Sequence, residues 1–308
     1  MIRKIRTATT EEWRALRKSY IGGSDAAAVV GMNRFVSPWS LWAEKTGAVE
    51  EFQGNLATET GTYLEAFVAK KFEEESGKRV KRCNFSLVND KYPWAIANID
   101  REVVGEDAGL EIKTTSELNM RSFKAGEYPE QYYAQCVHYL AVTGKARWYL
   151  AVLIGNREFR TFVIERDEDE IAALMDAEKS FWTSYIETNT PPPADGQSAT
   201  TDAISAVYGT GDDTVSVDIT GLEEVLRNYQ EIAASIKQLE AAKEECANQI
   251  KAALGEATEG VCSGYRATWT NGTRKSLDSK ALAADHPEIN FGKYYKVSTF
   301  RTFKVKEK

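Results

Sequence analysis

Apolar residues recur along the chain with two spacings, and each spacing assigns its stretch to helix or strand. Residues 60–76 place Leu64, Phe67, Val68 and Phe72 on one helical face, and residues 10–18 form a shorter helix with Glu11 and Glu12 in its first turn. Gly22-Gly23-Ser24-Asp25 interrupts the chain and caps an apolar helix over 26–30. Residues 79–88, 95–104 and 110–114 read as strands, 129–142 as a helix, and 147–154 with 158–165 as a hairpin turning at Gly155-Asn156. A helix over 167–186 closes this α/β region.

Three consecutive prolines, 191–193, followed by polar residues fix an extended backbone with nothing to bury. The pattern therefore predicts a first domain over 1–187, a Pro-rich linker over 188–203 and a C-terminal extension over 204–308. In the extension, Leu222, Val225, Leu226, Tyr229, Ile232, Ile236, Leu239 and Ile250 mark a long helix over 221–254 that is suited to pairing with another helix. Residues 261–308 lean to β and finish in a basic run.

Composition narrows the chemistry. The chain has 308 residues, 43% hydrophobic and 28% charged, which is the mix of a folded protein, and no apolar run is long enough for a membrane span. Four dispersed cysteines and two histidines argue against structural zinc, a cysteine-bound cluster or a disulfide framework, so a reducing, cytoplasmic setting is expected. The net charge of −7 does not exclude a nucleic-acid partner, because a metal-holding carboxylate cluster lowers the total while a local basic track persists.

One constellation carries chemistry. Residues two apart in a strand share a face, so Glu111 and Lys113 point together while Leu110 and Ile112 enter the core. A tight turn over 105–109 brings Asp100 alongside them. Two carboxylates can bind Mg²⁺ and activate its water, and the ammonium can position that water, assist its deprotonation and offset phosphate charge. Glu65 offers a further carboxylate. A solvated cross-strand ion pair is the plain alternative for Glu111 and Lys113.

The ordered motifs Ile21-Gly22-Gly23-Ser24-Asp25, Gly61-Thr62-Tyr63-Leu64-Glu65, Ala97-Asn98-Ile99-Asp100-Arg101, Gly109-Leu110-Glu111-Ile112-Lys113-Thr114 and Ala134-Gln135-Cys136-Val137-His138-Tyr139 resemble the YqaJ-type viral recombinase family. That family is similar to lambda-type alkaline exonucleases of the PD-(D/E)xK nuclease superfamily. The likeness spans about residues 10 to 187, and the tail motif over 294–303 resembles that of phage members.

The resemblance implies a PD-(D/E)xK core, a central mixed sheet flanked by helices, and a Mg²⁺-dependent 5′→3′ exonuclease on linear duplex DNA, with Mn²⁺ able to substitute. It makes Glu65, Asp100, Glu111 and the Ile112 carbonyl the metal ligands, Lys113 the catalytic lysine and Gln135 a neighbour of the metal site. Arg17 and Ser24 match the residues near a terminal 5′-phosphate. The family's helix motif often carries a second Gln where this chain has Val137.

Gly22 and Gly23 would let backbone approach that phosphate beside a helix start, although Ser24 or Asp25 can equally cap the helix. Arg121 and Lys124 are candidates for a phosphate contact, and the basic residues 70–71 and 78–82 for a DNA track or a solvated face. Trp39, Trp42 and Trp94 suit packing, and His138 a hydrogen-bonded structural role. Implied partners are duplex DNA ends, further copies of the chain and a single-strand annealing recombinase; an endonuclease and a non-catalytic DNA-binding or assembly protein are the rival readings.

Overall fold

The protein is described from a computed structural model over residues 1–308, apart from 51, 125, 213, 299, 300, 307 and 308. Two compact units divide it, Met1–Gly209 and Thr210–Lys308.

The first unit is built on a five-stranded sheet of β3 (Val80–Arg82), β6 (Arg101–Val103), β7 (Ala108–Thr115), β8 (Arg147–Ile154) and β9 (Glu158–Glu165), in the order β3-β6-β7-β8-β9. Only β7 and β8 run parallel, as expected of two strands joined through a helix, α5 (Glu130–Thr143). Two small pairs lie outside this sheet: β1 (Ile2–Ile5) with β4 (Ser86–Asn89), antiparallel, and β2 (Ile21–Gly22) with β5 (Ala95–Ile96), parallel.

Both faces of the sheet are covered. The helix α4 (Leu56–Ser76), capped by the Asn55 side chain, packs Val68, Ala69 and Phe72 on Leu110, Ile112 and Ala151. On the opposite face, α5 covers Trp148, Leu150 and Val152, and α6 (Glu168–Phe181) packs on α5. Each large apolar side chain so buried contributes about 1.5–3 kcal/mol. Gly109 is required here, because a Cβ at that position would lie 2.2 Å from the Trp148 indole.

Several expected elements are divided or extended. The strand expected over 79–88 breaks at Cys83-Asn84-Phe85 into β3 and β4, and that over 95–104 into β5 and β6. Phe67, expected on the inner face of α4, is exposed. The helices α1 (Thr10–Lys18) and α2 (Gly23–Val29) are followed by α3 (Pro38–Thr46), which the apolar spacing did not mark despite its Ser37 cap and Pro38 start.

The Pro-rich linker is not the end of the first unit. Residues 198–208 form α7 (Ser198–Tyr208), which lies on α3: Ala203 joins the core around Trp39 and Trp42, and the buried Thr200 hydroxyl bonds Ser37 Oγ at 2.7 Å. The helix thus docks through that hydrogen bond and through Ala203, Ile204 and Val207, and the compact unit continues to Gly209.

The second unit carries the long helix α8 (Glu223–Leu254), a hairpin of β10 (Glu259–Cys262) and β11 (Tyr265–Thr268), and a short helix α9 (Ser279–Asp285). The β expectation for the terminal stretch is met only in that hairpin among the described residues. Thr299, Phe300 and Lys308, parts of the tail motif and basic run, lie outside the described residues. Among the described residues, no helix is long and apolar enough to cross a membrane.

Candidate active site

The site forms where β6 leaves β7. The two strands pair at Arg101↔Leu110 and Glu102↔Gly109, and one further step of that register sets Asp100 across from Glu111. The ladder stops there because residues 95–97 are committed elsewhere, to β2 and to a bridge between Leu87 and Ala97. Asp100 fills the gap: its Oδ2 accepts the Ile112 N–H at 2.7 Å. A strand residue directs its N–H and C=O to the same edge, so the Ile112 carbonyl faces this edge as well.

Glu111 is buried against α5, where the Gln135 amide donates to its Oε1 at 2.7 Å. The same amide reaches the Tyr139 hydroxyl, which in turn donates to the Asn98 carbonyl at 3.0 Å. The Lys113 ammonium lies 2.6 Å from Glu111 Oε1 and over the Tyr132 ring. Burial pulls the lysine's pKa down, but the charges of Glu111 and Asp100 outweigh it and hold the group above its ordinary value. For Asp100, burial first and then the negative charge of Glu111 push the carboxyl well above the usual range.

Glu65 departs from the expected ligand set. It lines the same cavity of about 490 Å³ as Asp100, Asn98 and Trp13, yet its carboxylate is paired with the buried Arg101 guanidinium. Arg101 also donates to the Asp100 carbonyl at 2.7 Å. Among the described residues no three His, Cys, Asp or Glu side chains are grouped closely enough to hold a metal ion. The arrangement brings Asp100, Glu111, Lys113, Gln135 and Ile112 together and leaves Glu65 one ion pair away.

The chemistry of the donors nevertheless fits a divalent cation. Glu111 Oε2 is buried without a hydrogen-bond partner, and Asp100 faces it across the strands. A cation between them would satisfy the orphaned oxygen and remove the like-charge penalty.

A second cluster surrounds Arg17. Its guanidinium donates to Ser24 Oγ at 3.2 Å and lies 3.8 Å from Asp25, whose other oxygen pairs with the buried Lys45 at 2.6 Å. Burial alone would raise the Asp25 pKa, but Lys45 and Arg17 lower it. Lys45 also donates to the Arg17 and Tyr20 carbonyls, at 2.9 and 2.8 Å.

The glycines here serve a purpose other than the expected backbone approach to an anion. The Gly22 N–H is bound by Asp25 Oδ2 at 2.9 Å, and a Cβ on Gly23 would lie 2.5 Å from the Tyr139 ring. The start of α2 is therefore capped by Asp25, and Arg17 and Ser24 are the groups left facing outward.

Of the remaining candidates, Arg121 and Lys124 follow β7 and are exposed. Lys70, Lys71, Lys78 and Lys81 pair with Glu74, Glu75, Glu106 and Glu102, so much of the basic run is a solvated, neutralised face. Trp39 and Trp42 are buried. His138 is fully buried, with Nδ1 2.7 Å from Glu178 and Nε2 2.9 Å from the Ile96 carbonyl. The Ile96 carbonyl accepts from one nitrogen, and the Glu178 carboxyl partners the other. Burial lowers the histidine's pKa, but Glu178 raises it further, to a net upward shift.

Sequence reasoning did not single out Arg101, Lys45, Tyr132 or Tyr139. Arg101 stood inside a quoted motif, directly after the aspartate, and that adjacency was the available signal. Tyr139 also stands inside a quoted motif, one helical turn after Gln135, whereas Lys45 and Tyr132 are recognisable only from contacts far apart in the chain.

Residues 12–146 match the YqaJ-like viral recombinase domain. The uncharacterized protein YqaJ of Bacillus subtilis (strain 168) is 37% identical over 302 residues, covering 96% of this chain and 94% of the relative. Similar solved structures include an alkaline exonuclease (LHK-Exo) from Laribacter hongkongensis, with a TM-score of 0.48 and 21% identity over 58% of this chain and 94% of that one. A phage related exonuclease from Haemophilus somnus 129PT has a TM-score of 0.46 and 14% identity, over 58% of this chain and 100% of that one.

Proposed function

This chain belongs to the YqaJ-like viral recombinase family, and on that premise we propose that it is a divalent-metal-dependent deoxyribonuclease, a 5′→3′ exonuclease on linear duplex DNA that prepares single strands for recombination. The observation that carries the reading is Asp100 set across from Glu111, whose buried Oε2 lacks a partner, with the Lys113 ammonium 2.6 Å from the same carboxylate.

Asp100 and Glu111 would hold Mg²⁺, or Mn²⁺ in its place, with the Ile112 carbonyl beside them and Glu65 joining by exchanging Arg101 for the ion. When bound, the ion supplies an acidified water and charge stabilisation at the scissile phosphate. Lys113 presents its ammonium to that phosphate and is kept in place by Glu111 and Tyr132. Gln135 fixes the Glu111 rotamer and is itself fixed by Tyr139. Arg17 and Ser24 take the terminal 5′-phosphate, the guanidinium by a charge-assisted contact. Arg121 and Lys124 contact phosphates of the duplex. The polarity follows from the resemblance to lambda-type alkaline exonucleases, as does a single-strand annealing partner, while a cytoplasmic setting follows from the dispersed cysteines.

The test supplies Mg²⁺ with linear duplex DNA, 5′-phosphorylated or not, and with covalently closed circles. Progressive loss of linear DNA, faster with the 5′-phosphate and absent on circles, is the expected result. Cutting of circles would replace the exonuclease with an endonuclease. Binding without cleavage of any substrate would leave a DNA-binding assembly protein.

A further inference from the structure

The helix α8 carries a second periodicity that the nuclease site does not use. From Val225 the positions Tyr229, Ile232, Ile236, Leu239, Lys243, Cys246, Ile250 and Ala253 follow in strict alternation of four and three residues. That is a 3.5-residue repeat over four heptads, with Val225, Ile232, Leu239, Cys246 and Ala253 at d, and Tyr229, Ile236, Lys243 and Ile250 at a. The helix has 32 residues, about 48 Å of length. The apolar members Val225, Tyr229, Ile232, Ile236, Leu239 and Ile250 are between 46% and 69% exposed. The tail residue Phe303 touches Tyr229 at one end of the row, 5.5 Å between ring centres, while Ile232, Ile236, Leu239 and Ile250 stay exposed.

We infer that this row is the seam of a parallel, in-register coiled coil between copies of this chain. A strict 3.5 repeat specifies another helix as the occupant, because only a helix that supercoils with it keeps the row in contact throughout. The flanking positions specify a like helix. The e positions Leu226, Ala233, Glu240 and Ala247 and the g positions Asn228, Ser235, Ala242 and Gln249 include one charge, Glu240. Each g residue of one copy would face the e residue five further on in the other, and no such pair sets like charges together. There is no charge pattern that would select a different partner.

Lys243 selects the orientation. In a parallel pair the two Lys243 side chains share one layer and extend together to water along their methylene stems. A centred antiparallel pair would set each Lys243 against an Ile232, spoiling two layers. The inference holds whether or not the chain cleaves DNA, since it uses none of the residues of that site.

Cys246 supplies the test, because a d residue faces its own counterpart only when the helices are parallel and in register. The full-length chain is used with Cys262, the other exposed cysteine, changed to serine; Cys136 is buried and Cys83 half-buried. Mild oxidation is expected to yield a species of twice the 34.4 kDa chain on a non-reducing gel, lost in Cys246→Ser. Analytical ultracentrifugation is expected to give a multiple of the chain mass. The double change Ile236→Glu and Leu239→Glu should return it to a single chain, and Gln238→Glu on the outer face should not. A wild-type chain that sediments as a monomer overturns the inference, as does an oligomer that survives the seam substitutions. A seam-dependent oligomer that Cys246 fails to cross-link overturns the parallel register.

Discussion

The Asp100 carboxylate accepts the Ile112 backbone N–H at 2.7 Å, in the place the next residue of β6 would occupy had the ladder continued. One side chain thus seals a strand edge and faces Glu111. Asp100→Asn keeps an acceptor for Ile112 and should leave the fold intact, while lowering cleavage beyond the roughly 10–100-fold seen for outer partners of a metal site. Asp100→Ala should also destabilise by about 1–3 kcal/mol, because the amide is left unpaired. Urea unfolding and single-turnover cleavage, measured side by side, separate the two effects.

Metal should act on stability as well as on rate. The folded pKa of Asp100 is raised. A carboxyl shifted upward is more easily protonated when folded, so its unfavourable contribution is absent below the unfolded value and complete above the folded one. The metal-free protein should therefore lose stability as pH rises through that interval. Mg²⁺ should restore it in proportion to RT ln(1 + [Mg²⁺]/Kd). Melting temperatures with Mg²⁺ or with a chelator check this, and Asp100→Asn should show little response to either.

Gln135 is expected to act through Glu111. Gln135→Leu removes the donor from a buried carboxylate that already has one unpartnered oxygen. Cleavage should fall about 10–100-fold, with a weaker dependence on Mg²⁺ concentration than wild type shows near its midpoint. Gln135→Asn, too short to reach, should resemble Leu. A rate unchanged in both variants would remove Gln135 from the site.

The His138–Glu178 pair should set a pH limit on the first unit. A histidine whose folded pKa is raised stabilises fully below its unfolded value of about 6.5 and loses that contribution as pH rises through the folded value. Stability should decline with rising pH in wild type, and His138→Gln should flatten the slope. Where the pair is ionised, Glu178 left buried without its imidazole partner should cost about 3–5 kcal/mol. Unfolding free energies measured across that pH interval give the comparison.

The first unit should tolerate a chain end after Gly209 but not one before α7. A protein ending at residue 187 loses the Thr200–Ser37 hydrogen bond and the Ala203 contact with the tryptophans of α3. Its unfolding midpoint should drop by several degrees relative to one ending at 209, as a calorimetric scan would show.

What was legible in the sequence depended on how local its cause was. The β8–β9 hairpin and α1 were readable to the residue, because a turn glycine with φ of 55° at Gly155 and the Thr9 cap act within a few positions. The shared face of Glu111 and Lys113 followed from strand period alone. The break at Asn98–Asp100 was not readable, since it is imposed by β2 and by the Leu87–Ala97 bridge, partners remote in the chain. Nor was the joining of α3 and α7, whose contact is made between segments remote in the chain. Glu65 on Arg101 shows the same limit: residue types named a ligand set, but the choice among partners for a carboxylate is made by packing.

The most direct measurement is the rate of cleavage of a 5′-phosphorylated linear duplex in Mg²⁺ by wild type, Glu111→Gln and Lys113→Ala, with unfolding midpoints taken on the same samples. The account predicts wild-type turnover that a chelator abolishes, and loss of roughly 10³-fold or more in both variants while the fold persists. Undiminished cleavage by a folded Glu111→Gln or Lys113→Ala protein would contradict it.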